Sequence, residues 1–329
     1  MKKVLIAILL LGLLPHASAA YIHWVDFRLS APVLRSALEL DMASQGGEQP
    51  LDWIDILALA AAWRGGTGVT VADTQRAAQA LRGDTPPERL PGMAGRYFSY
   101  YREAYGAALG GLAGHFAIRR TDPQTGEAEW IPAYGLKAFS PIAAGYPWSH
   151  YPDFGAQRSY GYARPHLGND ILGALGTPIC AVEGGTVEAL GWNRYGGWRI
   201  GIRSDDRKRY YYYAHLRKDT PYAEGLAVGQ RVQAGDVIGF MGRTGYSAQE
   251  NVNNIETVHL HFGLQLIFDE SQKECDSEIW IDVYPIIELL ASHCSSVTRD
   301  PQTGRWERLY PYCDLSQKYL LKTSFTGCL

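Results

Sequence analysis

The segment His259-Leu-His-Phe-Gly-Leu-Gln-Leu266 alternates side chains of two kinds and has no helical spacing, so it reads as a β-strand. In a strand, residues two apart share a face, which projects His259 and His261 side by side and turns Leu260 to the core. Arg209-Tyr-Tyr-Tyr-Tyr-Ala-His215 reads the same way, and strict alternation would put Tyr211, Tyr213 and His215 on one face. Gly185-Thr-Val-Glu-Ala-Leu190, Arg199-Ile-Gly-Ile-Arg203 and Gly235-Asp-Val-Ile-Gly-Phe-Met-Gly242 continue the series. Long helices do not alternate with these runs, so an antiparallel sheet is expected in preference to parallel βαβ units.

Upstream, the periodicity changes. Val33, Leu34, Ala37, Leu38 and Leu40 recur at helical spacing, and a second run from Trp53 to Trp63 follows Pro50 and Asp52. Glycines and prolines punctuate residues 30–112 into about four helices, the last from Ala94 through Tyr105. The stripe Tyr97, Tyr100, Tyr101 and Tyr105 reads as packing. Asp122-Pro-Gln-Thr-Gly126 recurs as Asp300-Pro-Gln-Thr-Gly304, each suited to a tight turn and hence to a hairpin.

Met1-Lys-Lys3, an apolar run from Val4 to Leu14 and the small residues Ala17 to Ala20 have the layout of a secretory signal. The apolar run is too short for the roughly 20 residues of a spanning helix, so no stable membrane span is expected once the leader is cleaved. Loss of its two lysines lowers the 31 basic residues to 29 against 34 acidic ones, which argues against a nucleic-acid partner. Four of the five cysteines, Cys275, Cys294, Cys313 and Cys328, crowd the C-terminal end and could form two bridges in an oxidising compartment. Cys180 sits in an apolar stretch and reads as a buried free thiol.

His166-Leu-Gly-Asn-Asp170 needs a different geometry, because an extended chain would hold its ends roughly 13 Å apart. Convergence on one metal requires a turn, for which Gly168 is expected to supply the freedom. Zinc accepts His nitrogen and carboxylate oxygen, and a catalytic site uses three protein ligands with a fourth position for water. Two histidines and one aspartate meet that requirement.

Six signals in order resemble the lysostaphin and LytM family of zinc endopeptidases. They are His166-x-Gly168-x-Asp170, Gly176-Thr-Pro-Ile-Cys-Ala-Val-Glu-Gly-Gly-Thr-Val187, Tyr213-Ala-His-Leu216, Val232-Gln-Ala-Gly-Asp-Val-Ile-Gly239, Gly242-Arg-Thr-Gly245 and His259-Leu-His-Phe262. The resemblance implies that His166, Asp170 and His261 hold one Zn2+ per chain. It implies that His215 and His259 act in catalysis, and Tyr160 has the spacing of the family's active-site tyrosine, with nearby Tyr162 as the alternative. The chain departs from the family pattern in a longer loop from Tyr246 to Val258 and in Gly263. The histidines outside the motif, His23, His115, His150 and His293, read as surface or hydrogen-bonded residues, with a latent-form cap over the metal as the alternative for His150, just ahead of the domain.

The expected fold is α+β, an antiparallel β-sheet catalytic domain of lysostaphin/LytM type with an N-terminal helical domain. The expected division is a signal peptide over 1–20, helices over 21–113, a hairpin and linker over 114–150, the metallopeptidase over 151–291 and a cysteine-containing extension over 292–329. The implied function is a secreted, cell-wall-associated peptidoglycan hydrolase acting on stem peptides or cross-bridges. The competing expectation is an inactive scaffold or activator of cell-wall amidases.

Overall fold

A computed structural model describes residues 21–273 and 277–315. The expected leader, Cys275 and Cys328 lie outside them. Four helices come first: α1 (Ala31–Ser44), α2 (Trp53–Arg64), α3 (Val71–Leu81) and α4 (Met93–Leu109). Their ends follow from local chemistry. The Asp52 side chain accepts the Ile54 N–H to cap α2, Gly65 closes it in the left-handed conformation, and Thr70 with Asp73 forms a reciprocal capping box on α3. Ile56 to Ala62 of α2 are buried all round, which makes it the central helix of the layer. Tyr101 and Tyr105 are buried and Tyr97 and Tyr100 pack at the edge, so the tyrosine stripe is packing, as its spacing implied.

The strands follow in chain order. They are β1 (Ala113–Thr121), β2 (Ala128–Leu136), β3 (Trp148–His150), β4 (Gln157–Arg158), β5 (Arg164–Pro165), β6 (Asn169–Gly173), β7 (Pro178–Cys180), β8 (Gly185–Asn193), β9 (Gly197–Ser204), β10 (Arg209–Ala214), β11 (Arg231–Val232), β12 (Val237–Phe240), β13 (His259–Leu266) and β14 (Ile279–Trp280). After α5 (Tyr284–Leu290) come β15 (Val297–Arg299), β16 (Trp306–Arg308) and β17 (Tyr312–Asp314). The principal sheet has the order β11-β8-β9-β10-β13-β6-β3, with β14 also pairing β13, and its pairings are antiparallel. The fold is therefore α+β with an antiparallel sheet.

One face of that sheet is core. Leu260, Phe262 and Leu264 of β13, Tyr211 and Tyr213 of β10, and Ile200 and Ile202 of β9 are buried there, in one apolar cluster with α1, α2 and α4. The seam between helices and sheet also carries charge. Arg209 is fully buried and binds Glu183 with Nε (2.7 Å) and Nη2 (3.1 Å), while its Nη1 donates to the Ala107 carbonyl of α4 at 2.7 Å. Tyr211 Oη donates to Glu183 at 2.6 Å. Gly111 is required by this junction, since a Cβ there would lie 1.7 Å from the Glu183 carboxylate.

Both Asp-Pro-Gln-Thr-Gly repeats are hairpin turns, joining β1 to β2 and β15 to β16. In each, the aspartate Oδ1 accepts two backbone N–H groups and the glycine adopts a positive φ, 74° at Gly126 and 75° at Gly304. Cys313 is disulfide-bonded, but Cys180 and Cys294 are free, so the two-bridge expectation for the C-terminal cysteines is not met. Cys180 is buried, as its apolar surroundings implied.

Candidate metal centre

The uncovered face of the sheet carries His259, His261, Gly263 and Gln265 of β13 and, beside them in register, Tyr210, Tyr212 and Ala214 of β10. On the other flank β6 pairs with β13 so that Asp170 stands directly opposite His261. The chain bends at Gly168 between His166 and Asp170, and three donor atoms converge. His166 Nε2 lies 2.8 Å from His261 Nδ1 and 2.9 Å from Asp170 Oδ1, and the last two atoms are 3.2 Å apart. Among the described residues this trio is the group able to hold a metal ion.

Gly168 serves the trio by its size and not by backbone freedom, contrary to expectation. Its φ is outside the left-handed region, but a Cβ would lie 2.7 Å from both the His261 ring and the Phe262 carbonyl. No side chain fits between the two ligand-bearing segments there.

A second layer orients the ligands. His166 Nδ1 lies 3.1 Å from the Asp153 carbonyl and 3.2 Å from its carboxylate, which leaves Nε2 for the centre. Asp153 is fixed by Arg158 (3.0 Å) and by the Asn169 amide (2.8 Å), and Arg158 also reaches Asp170 at 2.8 Å. Burial opposes a proton on His166, yet the hydrogen bonds to Asp153 and Asp170 prevail and push its pKa up to about 9. Burial would raise the Asp170 pKa, but hydrogen bonds from His166 and His261 hold its carboxyl far below the usual carboxylate range. Burial lowers the pKa of His261. His150 binds Asn169 through Nδ1 (2.6 Å) and Glu288 through Nε2 (2.8 Å), so both nitrogens are engaged away from the trio and it does not cover the centre.

His215 reaches the site by a route that strict alternation missed. Tyr211 and Tyr213 face the core, opposite Leu264 and Phe262, and β10 ends at Ala214. His215 then takes a left-handed φ of 61°, which swings its ring onto the open face, 4.7 Å from the His259 ring and 5.9 Å from that of His261. Such a conformation in a non-glycine residue costs on the order of 1–3 kcal/mol. The His215 Nδ1–H donates to the Thr244 carbonyl at 2.9 Å, and His259 Nδ1 makes the matching bond to Thr257 at 2.9 Å. Each ring is thereby locked with Nε2 available, and His259 Nε2 lies 3.7 Å from Asp170 Oδ1.

The trio and His215 line a cleft of about 350 Å³ walled by Tyr195, Tyr212, Tyr246, Arg158, Arg164 and Arg199. Tyr160 stands just outside this lining, stacked on Tyr246 with ring centroids 4.6 Å apart, and Tyr246 in turn meets His215 edge-on at 6.0 Å. The first residue of the long 246–258 loop therefore forms the wall. Sequence reasoning missed Tyr195, Tyr246, Asp153 and Arg158. Only Tyr246 had a signal, its place at the start of the loop that departs from the family pattern.

Residues 164–274 match the family described as Peptidase family M23. The chain is 40% identical over 130 residues to the L-Ala–D-Glu endopeptidase of Bacillus subtilis, covering 40% of this chain and 38% of that protein. It is 38% identical over 98 residues to the glycyl-glycine endopeptidase ALE-1 of Staphylococcus capitis, covering 30% of this chain and 24% of that one. Among solved structures, the catalytic domain of lysostaphin from Staphylococcus simulans overlaps with a TM-score of 0.33 at 28% identity, over 44% of this chain and 92% of that one. The chain thus spans about two fifths or less of the length of these two curated relatives. His166, Asp170, His215, His259 and His261 all lie inside the matched stretch, and residues 164–274 are a domain of peptidase family M23.

Proposed function

We propose that this chain is an exported, cell-wall-associated zinc endopeptidase that hydrolyses peptide bonds in bacterial peptidoglycan. The observation that carries the reading is the convergence of His166 Nε2, Asp170 Oδ1 and His261 Nδ1 within 3.2 Å of one another, beside two histidines whose Nε2 atoms are unclaimed. Ligand bonds of 2.0–2.1 Å in tetrahedral zinc place donors about 3.3 Å apart, close to the observed triangle. The Asp153 support behind His166 is the kind of outer partner that metal-bound histidines use. The residues therefore fit zinc.

When bound, zinc supplies a Lewis acid that polarises the scissile carbonyl and makes water a better nucleophile. The chain's own residues supply the proton traffic. Burial, reinforced by the neighbouring His259, holds the His215 pKa well below 6.5, so the ring is neutral at pH 7 and its Nε2 accepts a proton. The proton taken up at His215 Nε2 is the one the leaving amine needs, and His259, locked by Thr257 with its ring 4.7 Å from that of His215, presents a second Nε2 that can pass it on once protonated. Tyr160 acts through its stack on Tyr246, which sets the wall against which the peptide lies. The relatives' names mention both an L-Ala–D-Glu and a glycyl-glycine bond, which supports a peptide substrate from peptidoglycan.

The helical layer shares a core with the sheet and is tied to it through Arg209, which supports a fixed base for the catalytic face over a removable propeptide. No described helix is long and apolar enough to cross a membrane. The function is tested by incubating purified zinc-loaded protein with peptidoglycan of several chemistries. New amino groups are expected, and their absence from all of them contradicts the proposal.

A further inference from the structure

Among the described residues that line the cleft, one cation has no partner. Arg158 is bound to Asp153 and Asp170, Arg164 donates to the Tyr160 carbonyl and lies over the Tyr195 ring, and Lys273 is paired with Glu188 at 2.6 Å. Arg199 also lines the cleft, yet its guanidinium makes no hydrogen bond or ion pair among the described residues, and its Nε is shielded from solvent. A buried donor of this kind is unfavourable unless a ligand group satisfies it.

Its place relative to the metal centre follows from the strand register. Ile200 of β9 stands opposite Tyr213 with both on the core face, so Arg199 belongs to the open face. Continuing that register puts Arg199 beside Ala214, and Ala214 is paired with His261. Arg199 is thus two strands from a ligand of the centre, roughly 10 Å at the usual strand spacing. Between them Ala214 is small, and the Tyr212 hydroxyl lies over Gly196, where a Cβ would come within 2.3 Å of it. A peptide laid across the strands from the centre would bring a neighbouring side chain to the guanidinium fork.

We infer that Arg199 is a specificity-determining residue that binds a carboxylate carried by the substrate within one or two residues of the scissile bond. This rests on the peptidase reading and narrows it, selecting acidic stem peptides over neutral glycine bridges. A guanidinium matches a carboxylate in geometry as well as charge, and a carboxamide cannot replace it without losing the charge-assisted bonds.

The test uses the full zinc-loaded chain and two synthetic stem peptides that differ only in carrying D-glutamate or D-isoglutamine beside the scissile bond, with pentaglycine as a third substrate. The wild type is expected to prefer the acid over the amide by about 10- to 100-fold in kcat/KM, mainly through KM. Arg199→Gln should bring that ratio close to one, and Arg199→Lys should retain part of it. Equal rates for acid and amide in the wild type, or an unchanged preference in Arg199→Gln, would overturn the assignment. If the wild type cleaves none of the three, the peptidase reading fails separately, and calorimetric titration of the same pair decides the site. Acid bound about 10- to 100-fold more tightly than amide by the wild type but not by Arg199→Gln supports it, and equal affinities overturn it.

Discussion

Asp153 holds His166 from behind, its carbonyl 3.1 Å and its carboxylate 3.2 Å from the same Nδ1. The ring is thereby fixed with Nε2 towards Asp170 and His261. Asp153→Asn keeps the shape and weakens this hold, so metal affinity should fall about 10- to 100-fold while all three ligands remain. Competition with a chromogenic chelator measures it, and wild-type affinity in the variant would remove Asp153 from the design of the centre.

His215→Ala and His259→Ala should separate metal binding from turnover. Neither residue is one of the three converging donors, so bound metal should stay near the wild-type level, while hydrolysis falls by about 10²- to 10⁴-fold. Metal content and turnover are measured on the same preparations. A variant that loses metal in proportion to activity would show that its histidine supports the centre and not the proton transfers.

Metal binding should expel a proton at neutral pH. The His166 pKa lies at about 9 in the metal-free protein, so the ring is protonated at pH 7, and a metal accepts only the neutral form. About one proton should therefore be released per metal at pH 7, falling away as pH rises through that value, and affinity should climb over the same interval. Calorimetry in buffers of different ionisation enthalpy gives the number directly, and zero release at pH 7 would contradict the assignment.

Arg209→Met removes a buried charge that Glu183 and the Ala107 carbonyl both use. Breaking a buried pair from one side costs about 3–5 kcal/mol, so denaturant unfolding should show a loss of that size. A change below about 1 kcal/mol would mean that solvent reaches Glu183 in the native state.

Much of this was legible in the sequence because it depends on local rules. The two-residue repeat of β13 placed His259 and His261 together, Asp52 preceded a helix start, and each Asp-Pro-Gln-Thr-Gly run was a hairpin. What escaped depends on the third dimension. The left-handed turn at His215 reverses the face that alternation assigns, and Gly168 is glycine because His261, 93 positions later, packs against it. Asp153, Tyr195 and Arg199 carry no motif, and only the folded sheet brings them to the centre.

The central claim is that His166, Asp170 and His261 form one zinc site on which hydrolysis depends. Metal analysis of protein purified without added metal, paired with turnover before and after chelation, tests it most directly. The account predicts close to one zinc per chain, loss of activity when it is stripped and recovery when zinc is restored, with no binding by His261→Ala. Protein that carries no zinc and takes up none, or that hydrolyses peptidoglycan equally well after stripping, would contradict it.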